Sequence, residues 1–300
     1  MDAFYASVEL LRYPELQGLP VVIGGRRAHQ PVEVVDPQTG RPARRFARLA
    51  DYAGRGVITT ATYAARALGV GSAMGLMKAA RLAPEAILLP ADFDAYRRAS
   101  RAFKAAVRAI APSVEDRGID EIYIDLTGVR LPEHDATDDD PWWRARDVAK
   151  ALKAAVREAT GLGCSIAVAP NKLLAKIASD LDKPDGLTML PPHEVPRRIW
   201  PLPVRRINGV GPKAAVRLEA MGFGTIGELA HANLHVLETQ FGHHYAAWLL
   251  DAANGRDERP VVTESEPKSV SRETTFERDL HAKRDRAALS EIFTELCERV

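Results

Sequence analysis

The chain has 300 residues, 46% of them hydrophobic, with a mean hydropathy of −0.19 and a formal net charge of +1. That size and apolar content fit roughly two or three globular domains with real cores. They exclude a membrane-spanning bundle, since no apolar window is long enough, and a uniformly basic nucleic-acid binder. Cys164 and Cys297 stand alone without metal-ligand spacing, so a disulfide scaffold is excluded and a reducing cytoplasm is expected. The N-terminus carries acids and lacks a basic start followed by an apolar core, so no secretory signal is expected. Charge is nevertheless segregated. Arg41, Arg44, Arg45, Arg48 and Arg55 cluster, as do Arg97, Arg98, Arg101, Lys104 and Arg108, while Glu133, Asp135, Asp138, Asp139 and Asp140 lie together. Such clusters make a basic face on a neutral chain, or equally a set of solvated faces.

In chain order, residues 4–13 read as a helix and Pro20 to Gly24 as a strand. Residues 26–55 are rich in Arg, Pro and Gly without periodicity and read as an irregular insertion or long loop. A strand is expected near Val57–Thr60, then helices near 62–68 and 75–82. Residues 94–110 place Tyr96, Phe103, Val107 and Ile110 on one helical face. Residues 130–141 are acidic and Pro-containing and read as a surface loop. An amphipathic helix follows near 142–159, then a strand at Ser165–Ala169 with Cys164 buried beside it. A further helix covers 171–180 with Asn171 at its start. From 193 to 253 the pattern is short helices separated by Gly and Pro. Asn254 to Pro267 reads as a linker, 268–278 as a strand and 283–299 as a helix.

Two constellations carry chemistry. Residues 119–126, Ile-Asp-Glu-Ile-Tyr-Ile-Asp-Leu, set two adjacent carboxylates, Asp120 and Glu121, in a strand-type run after Arg117-Gly118. The reading is a hairpin or strand edge holding both acids at its tip. Adjacent carboxylates repel unless a cation neutralises them, and hard oxygens favour Mg²⁺ or Mn²⁺. A solvated Asp-Glu turn is the plainer alternative. The second constellation, Ile207-Asn-Gly-Val-Gly-Pro-Lys213, resembles a helix–hairpin–helix. There Gly209 and Gly211 let backbone amides approach a DNA phosphate, and Lys213 adds charge. An ordinary αα-hairpin with a Gly turn is its alternative.

Together with Met1–Glu9, Thr60-Ala-Thr-Tyr-Ala-Ala-Arg66, Gly118–Asp125, Ala169–Asp180 and Lys183–Leu187, these segments resemble the Y-family translesion DNA polymerases of the bacterial DNA polymerase IV type, in the family's order. The resemblance implies an α+β multidomain right hand. The palm would be 1–11 and 92–180 and the fingers 12–91. A helical thumb at 181–254 would hold the helix–hairpin–helix near 204–230. A linker at 255–266 would lead to the start of a little finger at 267–300. It implies low-fidelity addition of dNTPs to a primer 3′ end, in DNA repair and the SOS response. Two Mg²⁺ ions (or Mn²⁺) would be bound by Asp120, Glu121 and the backbone carbonyl of Met1. Tyr63, Arg66 and Lys172 would contact the triphosphate, and Tyr5 would be the steric gate against ribonucleotides, with Phe4 packing the palm. Primer–template DNA and, in the full-length protein, a sliding clamp are the implied partners of a monomer without membrane contact.

Three departures from the family pattern stand out. The family's strand reads hydrophobic-Asp-Met-Asp, so Asp2 aligns with its second acid and the principal metal ligand would lie before Met1. That raises the alternative of an inactive DNA-binding hub, although the other site residues are present and a late start codon explains the same fact. The chain is expected to stop inside the little finger. Finally, Thr62 stands for a commoner Asn, Gly118 for a small polar residue, and 26–55 enlarges the fingers, changes expected to alter template-side contacts or lesion preference without abolishing chemistry. A helix–hairpin–helix nuclease is a more distant reading that leaves Tyr63, Arg66 and Lys172 unexplained.

Overall fold

A computed structural model describes residues 1–131 and 140–300. The chain divides into two compact units, one of Ala3–Tyr96 with Glu264–Val300 and one of Met1–Asp2 with Arg97–Thr263. Most of the acidic stretch expected as a surface loop at 130–141 lies outside the described residues.

In the first unit, α1 (Phe4–Arg12) buries Phe4, Ala6 and Glu9. It starts from Ala3, whose left-handed backbone (φ 42°) is uncommon for a residue with a Cβ. The strand β1 (Val21–Gly25) buries Val21, Val22 and Ile23 completely. A strand covered on both faces reads as an unbroken apolar run. Next come β2 (Val32–Val35), β3 (Pro42–Arg45), β4 (Ala47–Arg48), β5 (Thr60–Ala61), α2 (Tyr63–Ala67), α3 (Leu76–Leu82) and β6 (Ile87–Pro90). The sheet order is β4-β6-β1-β5, with β1 parallel to β6 and antiparallel to β5. Leu49, Tyr52, Ile58, Leu76 and Leu88 fill the core on it.

The irregular loop expected over 26–55 is corrected here. β2 and β3 form an antiparallel hairpin in register Val32↔Arg45 to Val35↔Pro42, and β4 joins the main sheet. The turn is built by Asp36, whose carboxylate accepts the amides of Gln38 (2.8 Å) and Thr39 (3.0 Å). That is Asx-turn chemistry, which a composition rich in Arg and Pro conceals. The strand expected near Val57–Thr60 is shorter and later, with a bridge from Val57 to Gly75 followed by β5.

The helix α4 (Phe93–Ile110) starts with the last residues of the first unit, and its part in the second unit turns Phe103 and Val107 into a core with Val114, Val148, Leu152 and Val156. Full burial of each such side chain contributes about 1.5–3 kcal/mol. β7 (Val114–Asp116) and β8 (Ile122–Ile124) pair antiparallel. α5 (Pro141–Thr160) begins at Asp140, whose carboxylate accepts the Trp142 amide at 2.8 Å. β9 (Ile166–Val168) and β10 (Leu187–Met189) run parallel, with α6 (Lys172–Ala178) between them in sequence. Cys164 is buried, which pushes its thiol pKa up and leaves it a small apolar residue.

The short helices expected from 193 onward are α7 (Val195–Arg198), α8 (Pro212–Ala220), α9 (Ile226–Ala230), α10 (Leu234–Phe241) and α11 (His243–Ala253). They enclose a separate core that includes Ile199, Ile207, Leu218, Leu229 and Leu249. Back in the first unit, α12 (Arg286–Glu298) forms as expected, but the strand expected over 268–278 does not. Residues with strand propensity become a strand only against a partner, and no described strand pairs with them.

Candidate active site

Asp120 and Glu121 lie at the end of the β7–β8 hairpin, closed by the Arg117 amide donating to the Glu121 carbonyl at 3.0 Å. Both are half-buried. The base of this turn is clamped by Lys104 of α4, only 8% exposed. Its ammonium donates to Asp116 Oδ1 (2.8 Å), Asp116 Oδ2 (2.7 Å) and the Gly118 carbonyl (2.6 Å). Asp116 also accepts the Gly118 amide at 3.1 Å. Burial pushes the Asp116 carboxyl up, but Lys104 and that amide hold it below its ordinary value. The sequence reading foresaw the acids at a hairpin tip and missed the lysine that fixes them.

The helix α6 lies along this hairpin. Asn171 caps it by accepting the Leu174 amide at 3.0 Å. Lys172 donates to Glu115 Oε2 (2.7 Å) and to the Pro260 carbonyl (2.6 Å), with its ammonium 5.6 Å from the centre of the Tyr123 ring. Glu115 and Tyr123 are cross-strand neighbours. One helical turn on, Lys176 is bonded to Glu121. Burial pulls the Lys176 ammonium below the usual lysine range, against the charges of Asp180 and Asp120. Lys176 was not singled out from the sequence. Its i,i+4 spacing from Lys172, on the same helical face, was the available signal.

Two features of the N-terminus follow. The Met1 ammonium donates to the Asp120 carbonyl at 2.9 Å, which puts Met1 beside the acidic turn. Asp2 is 6% exposed, and its carboxylate accepts Ser165 Oγ (2.8 and 3.0 Å) and the Asp185 amide (2.9 Å). These contacts tie Asp2 into this unit. As a donor set, Asp120 and Glu121 fit a hard cation. Among the described residues, no group of three or more His, Cys, Asp or Glu side chains gathers around one point.

The remaining expected nucleotide contacts belong to the other unit. Arg66 lies 5.0 Å from the Tyr63 ring centre and donates through Nε to the Ala61 carbonyl (3.1 Å) and through Nη2 to Thr60 Oγ1 (3.4 Å). Thr62 is tied into the fold. It caps α2, accepts the Val21 amide (3.0 Å) and donates to the Leu19 carbonyl (3.0 Å). Tyr5 sits in an aromatic cluster, its ring centre 4.4 Å from Tyr96, 5.9 Å from Phe93 and 5.7 Å from Phe4. Beneath it Tyr96 donates to the buried Glu9 carboxyl at 2.7 Å, and burial raises the Glu9 pKa.

The glycine hairpin precedes α8, with Gly211 at its N-cap and Lys213 exposed. Gly209 has φ +112°, and a Cβ there would lie 2.5 Å from Trp248 Cη2. Tyr245, stacked on Trp248 at 5.3 Å, donates to the Gly209 carbonyl at 2.9 Å. Packing as well as backbone conformation thus requires this glycine.

The chain matches the impB/mucB/samB family over residues 1–180. It is 41% identical over 281 residues to the DNA polymerase IV of Alkalilimnicola ehrlichii, covering 94% of this chain and 69% of that protein. The chain belongs to the impB/mucB/samB family. Solved structures agree. A Y-family DNA polymerase chimera of Dbh and Dpo4 superposes with a TM-score of 0.75 at 27% identity, covering 100% of this chain and 78% of that one. The insertion ternary complex of Dbh DNA polymerase gives 0.68 at 29% identity, covering 87% and 67%. The family named from the motifs is the one these similarities return, and the impB/mucB/samB match includes the acidic turn, α2 and α6.

Proposed function

We propose that this chain is a DNA-templated DNA polymerase of the translesion type, extending a primer 3′ end with deoxynucleotides by divalent-metal-dependent nucleotidyl transfer. The observation that carries the reading is the acidic pair Asp120–Glu121, held at a clamped turn beside Lys172 in a member of this family. The same reading supports primer–template DNA and dNTPs as partners, action in the cytoplasm, a monomer, and a sliding-clamp contact in a full-length protein. It keeps the division into palm (1–11 and 92–180), fingers (12–91), thumb (181–254), linker (255–266) and the start of a little finger (267–300).

In the reaction, a bond forms between the primer 3′ oxygen and the α-phosphorus, and the bond to pyrophosphate breaks. Asp120 and Glu121, with the Met1 carbonyl, would hold Mg²⁺. Held there, the metal would supply activation of the 3′ hydroxyl and neutralisation of the leaving pyrophosphate. The chain's own cations do the rest. Arg66 and Lys172 offset triphosphate charge, and the Tyr63 hydroxyl donates to a phosphate oxygen. Lys172 begins that task paired with Glu115, so a phosphate must replace the carboxylate and the Pro260 carbonyl. Tyr5, backed by Tyr96 and Phe93, presents a ring that a ribose 2′-hydroxyl would strike. Gly209, Gly211 and Lys213 grip the DNA backbone without reading sequence.

Primer extension with and without Mg²⁺ tests the reading. Extension only with the metal is expected. A Tyr5→Ala variant is expected to incorporate ribonucleotides more readily, and an unchanged sugar preference removes its gate role. Purified chain that extends no primer at any metal concentration would leave the DNA-binding hub as the better account.

A further inference from the structure

The hairpin β2–β3 is a part of the first unit to which the polymerase reading gives no task. Its two strands pair only with each other among the described residues. An isolated ribbon buries little and is marginal on its own, so its order calls for another reason. Side chains alternate across it. Glu33, Val35, Pro42 and Arg44 share one face, and that face turns toward Tyr13 and Glu15. Arg44 lies 5.5 Å from the centre of the Tyr13 ring and 2.9 Å from the Glu15 carboxylate. Arg45 therefore projects from the opposite face with Val32, which is 50% exposed, and Arg41 closes the turn.

Between residues 26 and 48 there are six arginines and only two acids, Glu33 and Asp36. Arg44 and Arg48 are paired with Glu15 and Glu85. Arg41 and Arg45 are exposed and form no ion pair among the described residues. Both acids of the hairpin are accounted for differently. Asp36 is consumed by its own turn, and Glu33 lies on the Arg44 face.

We propose that this hairpin is a DNA-contacting arm whose Arg41 and Arg45 neutralise backbone phosphates of the primer–template. The proposal rests on the polymerase reading for its choice of polymer. Charge argues for it, because arginine forks match phosphate oxygens and two-stranded ribbons are established DNA-contacting elements. A protein partner is disfavoured, since its hot spots need a contiguous apolar anchor. The exposed Val32 and Val35 lie on opposite faces and make no such patch. Contacts of this kind are independent of base sequence and steeply salt-dependent.

Fluorescence anisotropy of the whole chain on labelled DNA tests this, using a blunt duplex and a primer–template with a single-stranded 5′ template overhang. The double variant R41A/R45A is expected to bind roughly tenfold more weakly. Its plot of log Kd against log salt should be shallower by about 2, one unit for each lost phosphate contact. R41K/R45K, which keeps both charges, should restore the slope. A loss confined to the overhang substrate places the arm on single-stranded template, and an equal loss on both places it on duplex. An unchanged affinity and slope on both substrates overturns the proposal. Primer extension by the unaltered chain checks the underlying polymerase reading separately, since arginine-dependent binding without any extension would fail that reading and leave the arm standing.

Discussion

Two hairpins in this molecule carry opposite charge and are built in opposite ways. The one at 114–124 is short, and its turn is held from below by a buried lysine, so Asp120 and Glu121 are fixed before any ligand arrives. The one at 32–45 is longer and fixes its turn from within through Asp36. The difference teaches what each charge has to do. Carboxylates with the proposed task of holding a small hard ion would need preorganisation to a fraction of an ångström. Arginines that meet a flexible, repeating phosphate chain need exposure and reach.

The comparison can be broken in several ways. The largest effect is expected from Asp120→Ala or Glu121→Ala, which should lower the single-turnover insertion rate by at least ~10³-fold, equivalent to about 4 kcal/mol. Undiminished insertion by either variant would remove the metal-ligand assignment. Next is Lys104→Met, which leaves the Asp116 carboxylate and the Gly118 carbonyl without their shared donor. It should cost about 1–3 kcal/mol in denaturant unfolding. Because the tip above it loosens, half-maximal extension should also need more Mg²⁺. A loss of stability with an unchanged metal requirement would make Lys104 structural only.

A smaller effect belongs to pH. Burial pushes the Glu115 carboxyl up, but Lys172 and the Val262 amide hold it below its ordinary value of 4.5. A depressed acid stabilises the fold fully above its unfolded pKa and loses that contribution as pH falls through the folded value. Acidification below about 4.5 should therefore release Lys172, and the protection factor of the Val262 amide, its slowing relative to an unstructured amide at the same pH, should fall. In Glu115→Gln that protection factor should be the same on both sides of the range. The smallest effect is Asp36→Ala. Exchange at the Gln38 and Thr39 amides should rise while the global melting temperature hardly moves, and a large drop would mean that the arm supports the core.

The two hairpins were also unequally legible in the sequence. The acidic one announced itself through β-branched residues around an Asp-Glu pair, a signal that is local and needs no partner from elsewhere. Its clamp was invisible, because Lys104 reads as one cation among many on α4 until the fold sets it under Gly118. The arginine hairpin was read as loop because its cross-strand partners, Val32 with Arg45 and Glu33 with Arg44, do not alternate cleanly. Strand character at 268–278 erred the other way, since propensity was present and a pairing strand was not. Tyr5, Tyr63, Arg66 and Lys172 were singled out only through the family resemblance. Nothing in their spacing distinguishes them from packing or surface residues.

The contact between Gly209 and Trp248 restricts the paths by which this chain can change. A side chain at 209 collides with the indole and also meets a backbone angle that disfavours any Cβ. Shrinking Trp248 removes the first obstacle and leaves the second. No single step, and no order of these two steps, opens position 209 to another residue without remaking the loop. Trp248 is thus packed against a neighbour that cannot vary.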